Sequence, residues 1–207
     1  MIFICSHNNV QEYTLPEEYM FLPLSALTGE DNINHKVSYR HLRHIYWIWK
    51  HMSYEEITIY QRKRYLSVHK IPDNYDAVVP QWQKGVGRLS IAYQWKVSHM
   101  TCPDSSKDMY MEKLAEIAGD EYKVFMHLDP CPTPFYHNIF SLKWNNFDSY
   151  CYYMFSILND LEKEIGMTTN EELPLYAYLA ERLSNFWFYK YLDINRIFQA
   201  DLVVSTK

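Results

Sequence analysis

The residues best suited to chemistry lie in one stretch of the chain, residues 31–66. They are Asn32 and Asn34, Trp47 and Trp49, and the basic residues Arg43, Lys50, Arg62, Lys63 and Arg64. Guanidinium groups bind phosphate oxygens through two parallel hydrogen bonds, and flat aromatic rings stack on the apolar faces of sugars or bases. This combination of residue types indicates a site that holds a sugar attached to a diphosphate.

The composition indicates a globular protein with an unusual share of aromatic residues. The chain has 207 residues and a mass of 25.0 kDa, which suits one domain over residues 1–207. It contains 19 Tyr, 10 Phe and 6 Trp, which either reflect an AT-rich genome or line a cleft that stacks sugars or bases. Neither G-x-G-x-x-G nor G-x-x-x-x-G-K-[ST] occurs, so we do not expect a glycine-rich phosphate loop.

Charge, cysteine spacing and hydropathy favour a cytoplasmic location. The net charge of -5 differs from the basic balance of proteins that bind duplex DNA, although a basic groove around Arg62–Arg64 could still meet a nucleic acid. The four cysteines are far apart, which predicts reduced thiols with neither disulfides nor a zinc site. We expect no membrane span, because no apolar run of about eighteen residues occurs, and no signal peptide.

Hydrophobic patterning predicts strands that alternate with helices. The predicted strands are Ile2–Cys5, Leu22–Leu24, Glu56–Arg62, Ala77–Pro80, Phe135–Leu142 and Leu202–Val204. The predicted helices are His35–Met52, Asp108–Met126 with a break near Gly119, Phe147–Ile165, and Asn170–Tyr191 with a break near Pro174. Ser90–His99 fits either a helix or a strand. The alternation indicates an α/β sheet domain.

Several sequence blocks, taken in order, carry a resemblance to a known family. They are Ile2–His7, Asn32–Asn34, Tyr46–His51, Gln61–Leu66, His137–Phe140, Tyr150–Leu158 and Ala180–Leu183. Together they resemble a family of bacterial glycosyltransferases catalogued as domain of unknown function 4422, found among capsular and exopolysaccharide synthesis proteins. The resemblance covers nearly the whole chain. It implies a GT-A-like, Rossmann-like domain with a mixed central sheet, flanking helices and a helical C-terminal part.

The chain departs from the family pattern at two points. The family has Glu-Leu-Thr where this chain has His41-Leu42-Arg43, and a histidine where this chain has Gln61. If the family Glu or His is catalytic in relatives, this protein uses another residue, or another donor or acceptor.

The resemblance implies a departing diphosphate, which many GT-A enzymes stabilise with a metal bound to Asp-x-Asp. No such motif occurs here. Arg62, Lys63 and Arg64 stand at the expected strand end, so we hypothesise that these cations replace the metal. The alternative is a solvated basic turn. We therefore expect no cofactor, although Mn²⁺ or Mg²⁺ is not excluded.

Two carboxylates are candidates for the general base that activates the acceptor hydroxyl. Asp148 follows the strand of Asn138 and begins a helix, where its carboxylate would stay ionised near the helix N-terminus; alternatively it only caps that helix. Glu181 is adjacent to Arg182 in a helix, and alternatively forms a buried structural ion pair.

The remaining candidates are assigned by their place in the fold and in the family blocks. For donor binding we predict Ser6, His7, Asn8, Asn32, Arg62, Lys63, Arg64 and Tyr65. For acceptor binding we predict Trp47, His137, Asn138 and Arg182. The alternatives are a polar loop at residues 6–8, a turn cap at Asn32, and a core position for at least one of Trp47 and Trp49.

Three functions remain open. The leading hypothesis is a glycosyltransferase, either a hexosyl- or a pentosyltransferase. It uses a nucleotide sugar, in the first instance a UDP-sugar, and a glycan or lipid-linked acceptor in the bacterial cytoplasm. The second keeps the reaction but makes the acceptor a hydroxymethylated or already glycosylated cytosine in phage DNA, in an infected cell. The third is a non-catalytic carbohydrate- or nucleotide-binding protein.

Overall fold

The computed structural model describes residues 1–6, 17–61, 63–81, 89–96, 104–133, 137–166 and 174–204. Within these ranges the strands are β1 (Ile2–Ser6), β2 (Tyr19–Pro23), β3 (Glu56–Gln61), β4 (Arg64–Leu66), β5 (Ala77–Pro80), β6 (Phe140–Lys143), β7 (Ile197–Ala200) and β8 (Leu202–Val204). The helices are α1 (Leu42–His51), α2 (Ile91–Lys96), α3 (Asp104–Ala118), α4 (Asp120–Phe125), α5 (Trp144–Ile165) and α6 (Leu175–Tyr191). Short 3-10 turns cover Leu24–Ala26, Val37–Tyr39 and Ile194–Arg196.

The strands form one mixed sheet in the order β2-β1-β3-β6-β5-β7, with β4 and β8 attached beside β3. β1 runs parallel to β2 and to β3, and β5 runs parallel to β7, but β6 is antiparallel to both of its neighbours. The carboxyl ends of β1, β3 and β5 therefore share one edge of the sheet with the start of β6. We call this the carboxyl edge.

The strands form because their residues suit a sheet that is covered on both faces. All five residues of β1 are buried, as is typical of parallel strands, and alternate side chains enter different parts of the core. Phe3 and Cys5 pack with the helices, whereas Ile2 and Ile4 pack with Tyr60 in a smaller cluster on the other face.

The helix layer is held by apolar stripes at helical spacing. α5 buries Phe147, Cys151, Met154, Leu158 and Leu161, which recur every three or four residues. The helix ends at Gly166, whose φ of 77° is a conformation that glycine adopts without a Cβ clash. α6 buries residues on every side, including Arg182 and Asn185, and so lies in the interior of this layer.

The predicted α/β class is confirmed, and so is the mixed sheet implied by the family resemblance. The predicted strands at Ala77–Pro80 and Leu202–Val204 have the predicted bounds, and the helix predicted over Asp108–Met126 breaks at Gly119 as expected. α6 begins directly after Pro174, and residues 170–173 of the helix predicted there lie outside the described residues. Ile91–Lys96, which the sequence left ambiguous, is helical.

Other boundaries were wrong. The first predicted helix starts seven residues too early, because residues 37–39 form a 3-10 turn and Arg40 has a φ of 49°. The strand predicted from Phe135 begins at Phe140, because His137 and Asn138 also have positive φ values. β4 and β7 were missed, being only three and four residues long.

Two further expectations concern the chain as a whole. In the part of the chain that the structure describes, no helix has both the length and the apolar content needed to cross a membrane. The single domain over residues 1–207 stays a prediction.

We predict that Leu158→Ala lowers the free energy of unfolding by about 2–5 kcal/mol, because it leaves a cavity around a fully buried position. Tyr152→Ala on the same helix is the control. Tyr152 is 69% exposed, and its loss should change stability by about 0.5 kcal/mol or less. Urea unfolding of the two variants checks this, and equal losses would contradict the burial pattern of α5.

Candidate active site

Six polar side chains from three separate segments meet at the carboxyl edge. They are Gln61 at the end of β3, Arg64 at the start of β4, His137 and Asn138 just before β6, and Glu181 and Arg182 in α6. We call this group the carboxyl-edge cluster. It exists because β6 is antiparallel, so the residues that precede it face the residue that ends β3.

The His137–Asn138 turn is the centre of the cluster and has an unusual backbone. Both residues have positive φ values, 77° and 47°, which costs non-glycine residues on the order of 1–3 kcal/mol each. Gln61 donates from Nε2 to the carbonyl of His137. Asn138 donates from Nδ2 to Nε2 of His41 at 3.0 Å and accepts from Oγ of Ser184 at 3.0 Å. Side chains from β3, α6 and the residue before α1 therefore hold the turn in place.

Glu181 lies against the same turn. Its carboxylate accepts a hydrogen bond from the backbone N–H of His137 and lies 3.0 Å from Nη1 of Arg182. Burial raises the pKa of Glu181 above its ordinary value, and this effect exceeds the opposing effects of Arg182, the His137 N–H and Arg64. The side chain is still 14% exposed, so a ligand can contact it. A carboxylate with a raised pKa that solvent can reach is a candidate for proton transfer.

Arg64 is oriented by its neighbours. Its Nη1 donates to Oε1 of Gln61 at 3.2 Å and lies 3.4 Å from Nδ1 of His137. Burial, together with the charges of Arg64 and Arg182, lowers the pKa of His137 to about 4. His137 is therefore neutral at pH 7 and offers Nδ1 as an acceptor, so the positive charge of the cluster comes from the two arginines.

Arg182 is almost fully buried but incompletely bonded. Its Nη1 donates to the carbonyl of Tyr178 at 3.1 Å and to Glu181, and its Cζ lies 5.6 Å from the ring of Trp95. Its Nε–H finds no hydrogen-bond partner in the described parts of the chain. An unsatisfied buried donor of this kind is typical of a site completed by water or by a ligand.

Ser6 ends β1 at the same edge, where Cys5 is in register with Gln61. The Ser6 carbonyl accepts a hydrogen bond from Nε2 of His44 at 3.1 Å, which ties β1 to α1. Three other predicted donor-binding residues, His7, Asn8 and Arg62, lie outside the described residues.

The structure does not bring Asp148 or Trp47 to the cluster. Because β6 is antiparallel, the helix that follows it starts at the opposite edge of the sheet, and Asp148 accepts a hydrogen bond there from the indole of Trp49 at 2.7 Å. The Trp47 indole donates to the carbonyl of Thr28 at 2.7 Å, and its ring stacks on His51 at the end of α1. The sequence placed Asp148 after the correct strand but could not show the direction of that strand.

The remaining residues predicted to bind the donor are Asn32, Lys63 and Tyr65. Asn32 accepts from the backbone N–H of Asn34 at 3.1 Å, which is the turn-capping role weighed as its alternative. Lys63 is exposed beside Arg64. Tyr65 is 37% exposed and lies 6.3 Å from the ring of Tyr60. Their roles in donor binding stay predictions.

The sequence did not identify His41 or Ser184 as part of the site. The signal for His41 was present, because both departures from the family pattern, His41 and Gln61, bind the His137–Asn138 turn. Nothing in the sequence marked Ser184 as part of the site, because a single serine inside a helix is common.

The described residues contain no group of three or more histidine, cysteine or acidic side chains placed to hold a metal ion. This part of the chain therefore offers no candidate metal centre. The hypothesis that cations replace a metal stays a prediction.

We predict that His137 makes stability depend on pH. Its pKa falls from 6.5 in the unfolded chain to about 4 in the folded protein, so the folded state binds fewer protons between these values. Stability should therefore rise with pH across this window and be lost as pH falls through it. His137→Asn keeps a residue that tolerates positive φ and should lose less stability than wild type between pH 6.5 and pH 4. Thermal unfolding measures this, with the exposed His35→Asn as control, and equal losses in His137→Asn and wild type would contradict it.

Comparisons with known proteins agree with the resemblance seen in the sequence. The model of the family described as domain of unknown function (DUF4422) matches residues 2–192. No curated protein matches. Among solved structures, the apo form of the bifunctional glycosyltransferase WbbM superposes with a TM-score of 0.74 and 17% sequence identity. The match covers 100% of this chain and 45% of that one, so this chain spans less than half the length of WbbM. The chain therefore belongs to the DUF4422 family, and its fold matches part of the structure of a bifunctional glycosyltransferase.

Proposed function

We propose that this protein is a glycosyltransferase that moves a sugar from a nucleotide sugar, a UDP-sugar in the first instance, to a hydroxyl group of a glycan or lipid-linked sugar. The observation that carries this proposal is that Glu181 and Arg64 meet on either side of His137 at the carboxyl edge. In open α/β sheets, ligands bind outside the carboxyl ends of the strands. The likeness to a glycosyltransferase structure supports the same class of activity.

The diphosphate of the donor binds at Arg64. Gln61 and His137 orient the Arg64 guanidinium group before any ligand arrives, so the side chain loses little conformational freedom when a phosphate binds. Arg62 and Lys63 directly precede Arg64 in the sequence and add positive charge. As the bond between the anomeric carbon and the diphosphate oxygen breaks, these cations stabilise the negative charge that develops on the leaving group.

Glu181 accepts the proton of the attacking hydroxyl. The acceptor oxygen forms a bond to the anomeric carbon, its proton passes to the Glu181 carboxylate, and the electron pair of the broken bond leaves with the diphosphate. The raised pKa of Glu181 makes it a stronger base than an exposed carboxylate, while Arg182 keeps it positioned. This assignment favours Glu181 over Asp148, which lies at the opposite edge of the sheet.

Asn138 has a positioning role in this scheme. Its amide is occupied on both sides, by His41 and by Ser184, and it is only 4% exposed. We therefore assign Asn138 to holding the turn in which the His137 N–H donates to Glu181. Arg182, whose Nε–H has no hydrogen-bond partner among the described residues, is assigned to the acceptor side of the site.

A cytoplasmic location forms part of the proposal. Three described cysteines, Cys5, Cys131 and Cys151, are free thiols in the core, which suits a reducing compartment.

We predict that Glu181→Gln lowers turnover of the UDP-sugar that wild type uses by about 10²–10⁴-fold, the usual contribution of a general base. Glutamine keeps the shape of the side chain but leaves the buried charge of Arg182 unpaired, so thermal unfolding is measured alongside to show that the variant is folded at the assay temperature. Release of UDP is measured over a panel of UDP-hexoses and UDP-pentoses, with Glu164→Gln, an exposed residue of α5, as control. Undiminished turnover in Glu181→Gln would contradict its role.

The acceptors offered in this assay separate the three functions. Glycan or lipid-linked sugar acceptors test the proposal, and hydroxymethylcytosine DNA tests the DNA-modifying alternative through a gain in its mass. If no nucleotide sugar is consumed with any acceptor, the proposal is wrong, and the non-catalytic alternative is favoured.

We predict that Arg64→Lys weakens UDP binding by about 10–100-fold, because lysine keeps the charge but loses the two-pronged bonding that contributes about 1.5–3 kcal/mol. Binding of uridine, which has no phosphate, should change little. Calorimetric titrations measure both ligands, with Arg196→Ala at the exposed Asp76 ion pair as control. The same titrations in excess chelator should give unchanged affinity, and a loss of UDP binding in chelator would contradict the replacement of a metal by cations.

A further inference from the structure

We propose that an open cavity lined by α2, α3 and the two residues that follow α4 binds a neutral sugar of the acceptor glycan. Its role in acceptor binding rests on the proposed function, whereas sugar binding by the cavity can be measured on its own. The cavity has a volume of about 390 Å³, within the range of about 300–1,000 Å³ that is usual for ligand pockets. None of its lining residues belongs to the carboxyl-edge cluster.

The topology places this cavity on the side of the molecule where the cluster lies. β5 ends at the carboxyl edge and β6 begins there, so the connection between them, residues 81–139, leaves from that edge and returns to it. The two helices that line the cavity, α2 and α3, and the lining residues after α4 all belong to this connection. An acceptor bound there approaches the edge where the cluster lies.

One side chain of the cavity lining also contacts the cluster. Trp95 lines the cavity, and the same ring lies 5.6 Å from Cζ of Arg182, the neighbour of Glu181. The Trp95 indole donates to the carbonyl of Lys107 at 2.7 Å, which fixes α2 against α3. The Ala92 N–H donates to the carbonyl of Met126 at 2.9 Å, which fixes α2 to the residue that follows α4. The wall between the two sites is thus built by hydrogen bonds before any ligand binds.

The lining matches the surface of a sugar ring. Tyr93 is 51% exposed and offers an aromatic face for the apolar C–H side of the ring, and Met111 adds apolar surface. Asp108 and Glu112, four residues apart on one face of α3, accept hydrogen bonds from hydroxyl groups, and Lys96 donates to them. Sugar hydroxyls both donate and accept, so they can satisfy all of these groups.

The same lining disfavours a nucleic acid acceptor. The cavity lining contains two carboxylates, Asp108 and Glu112, and one lysine, Lys96. Carboxylates repel the negatively charged phosphodiesters of a nucleic acid. The cavity therefore points to an uncharged glycan rather than to modified DNA, which narrows the acceptor class left open by the cluster alone.

Saturation-transfer NMR on the full chain tests the proposal, with the methyl glycosides of glucose, galactose and mannose and short neutral oligosaccharides as probes. We expect at least one probe to bind, its dissociation constant to rise tenfold or more in Tyr93→Ala and in Asp108→Asn, and no change in Tyr152→Ala. Tyr152 is an exposed tyrosine on α5, outside the cavity lining. The proposal is overturned if no probe binds, if Tyr93→Ala binds the probe as wild type does, or if a short oligonucleotide displaces the probe.

A second measurement separates this inference from the proposed function. Transfer to the bound sugar should show a higher KM for that sugar in Tyr93→Ala and an unchanged KM in Tyr152→Ala. If wild type consumes no nucleotide sugar but binds a probe that Tyr93→Ala loses, the proposed function fails and the sugar site stands. If wild type turns over its donor and Tyr93→Ala transfers with an unchanged KM, the acceptor role of the cavity fails and the proposed function stands.

Discussion

The candidate site depends on a backbone turn that would not be stable alone. His137 and Asn138 adopt positive φ values without being glycine, and neighbouring side chains compensate for that strain. Gln61 bonds the turn from β3, Ser184 bonds it from α6, and Asn138 extends the network to His41. Tyr150 then joins Ser184 to α5 at 2.9 Å. Because each contact comes from a different element, the turn forms only when the sheet and the helix layer are packed together.

The turn also sets the electrostatics of the cluster. The backbone N–H of His137 donates to the carboxylate of Glu181, and the imidazole of His137 accepts from Arg64. One residue therefore holds both the carboxylate and the guanidinium group, which do not form an ion pair with each other. Glu181 instead pairs with Arg182. This arrangement leaves Arg64 available for an anion, and it keeps Glu181 in a setting where burial raises the pKa. Removing one partner of a buried ion pair typically costs about 3–5 kcal/mol, so Arg182 also matters for stability.

The two departures from the family pattern have a common structural explanation. His41 and Gln61 are 20 positions apart in the sequence, but both bind the same two-residue turn. His41 accepts a hydrogen bond from the Asn138 amide, and Gln61 donates one to the His137 carbonyl. Each side chain thus complements the donor or acceptor that it meets on the turn. Both side chains therefore help to hold the turn against which Glu181 lies.

The sequence by itself determined the α/β class, several strand and helix bounds, and the family to which the chain belongs. Periodicity and breakers such as Gly119 and Pro174 are local signals, and they were enough for these conclusions. The family blocks also pointed to Arg64, His137, Asn138, Glu181 and Arg182, which the structure brings together. Only the tertiary structure showed that Glu181 lies at the carboxyl edge and Asp148 at the opposite edge, because the place of Asp148 depends on the antiparallel direction of β6. Strand direction follows from pairing between residues far apart in the chain, which no local pattern encodes, and the same holds for the clamp that His41, Gln61 and Ser184 form around one turn.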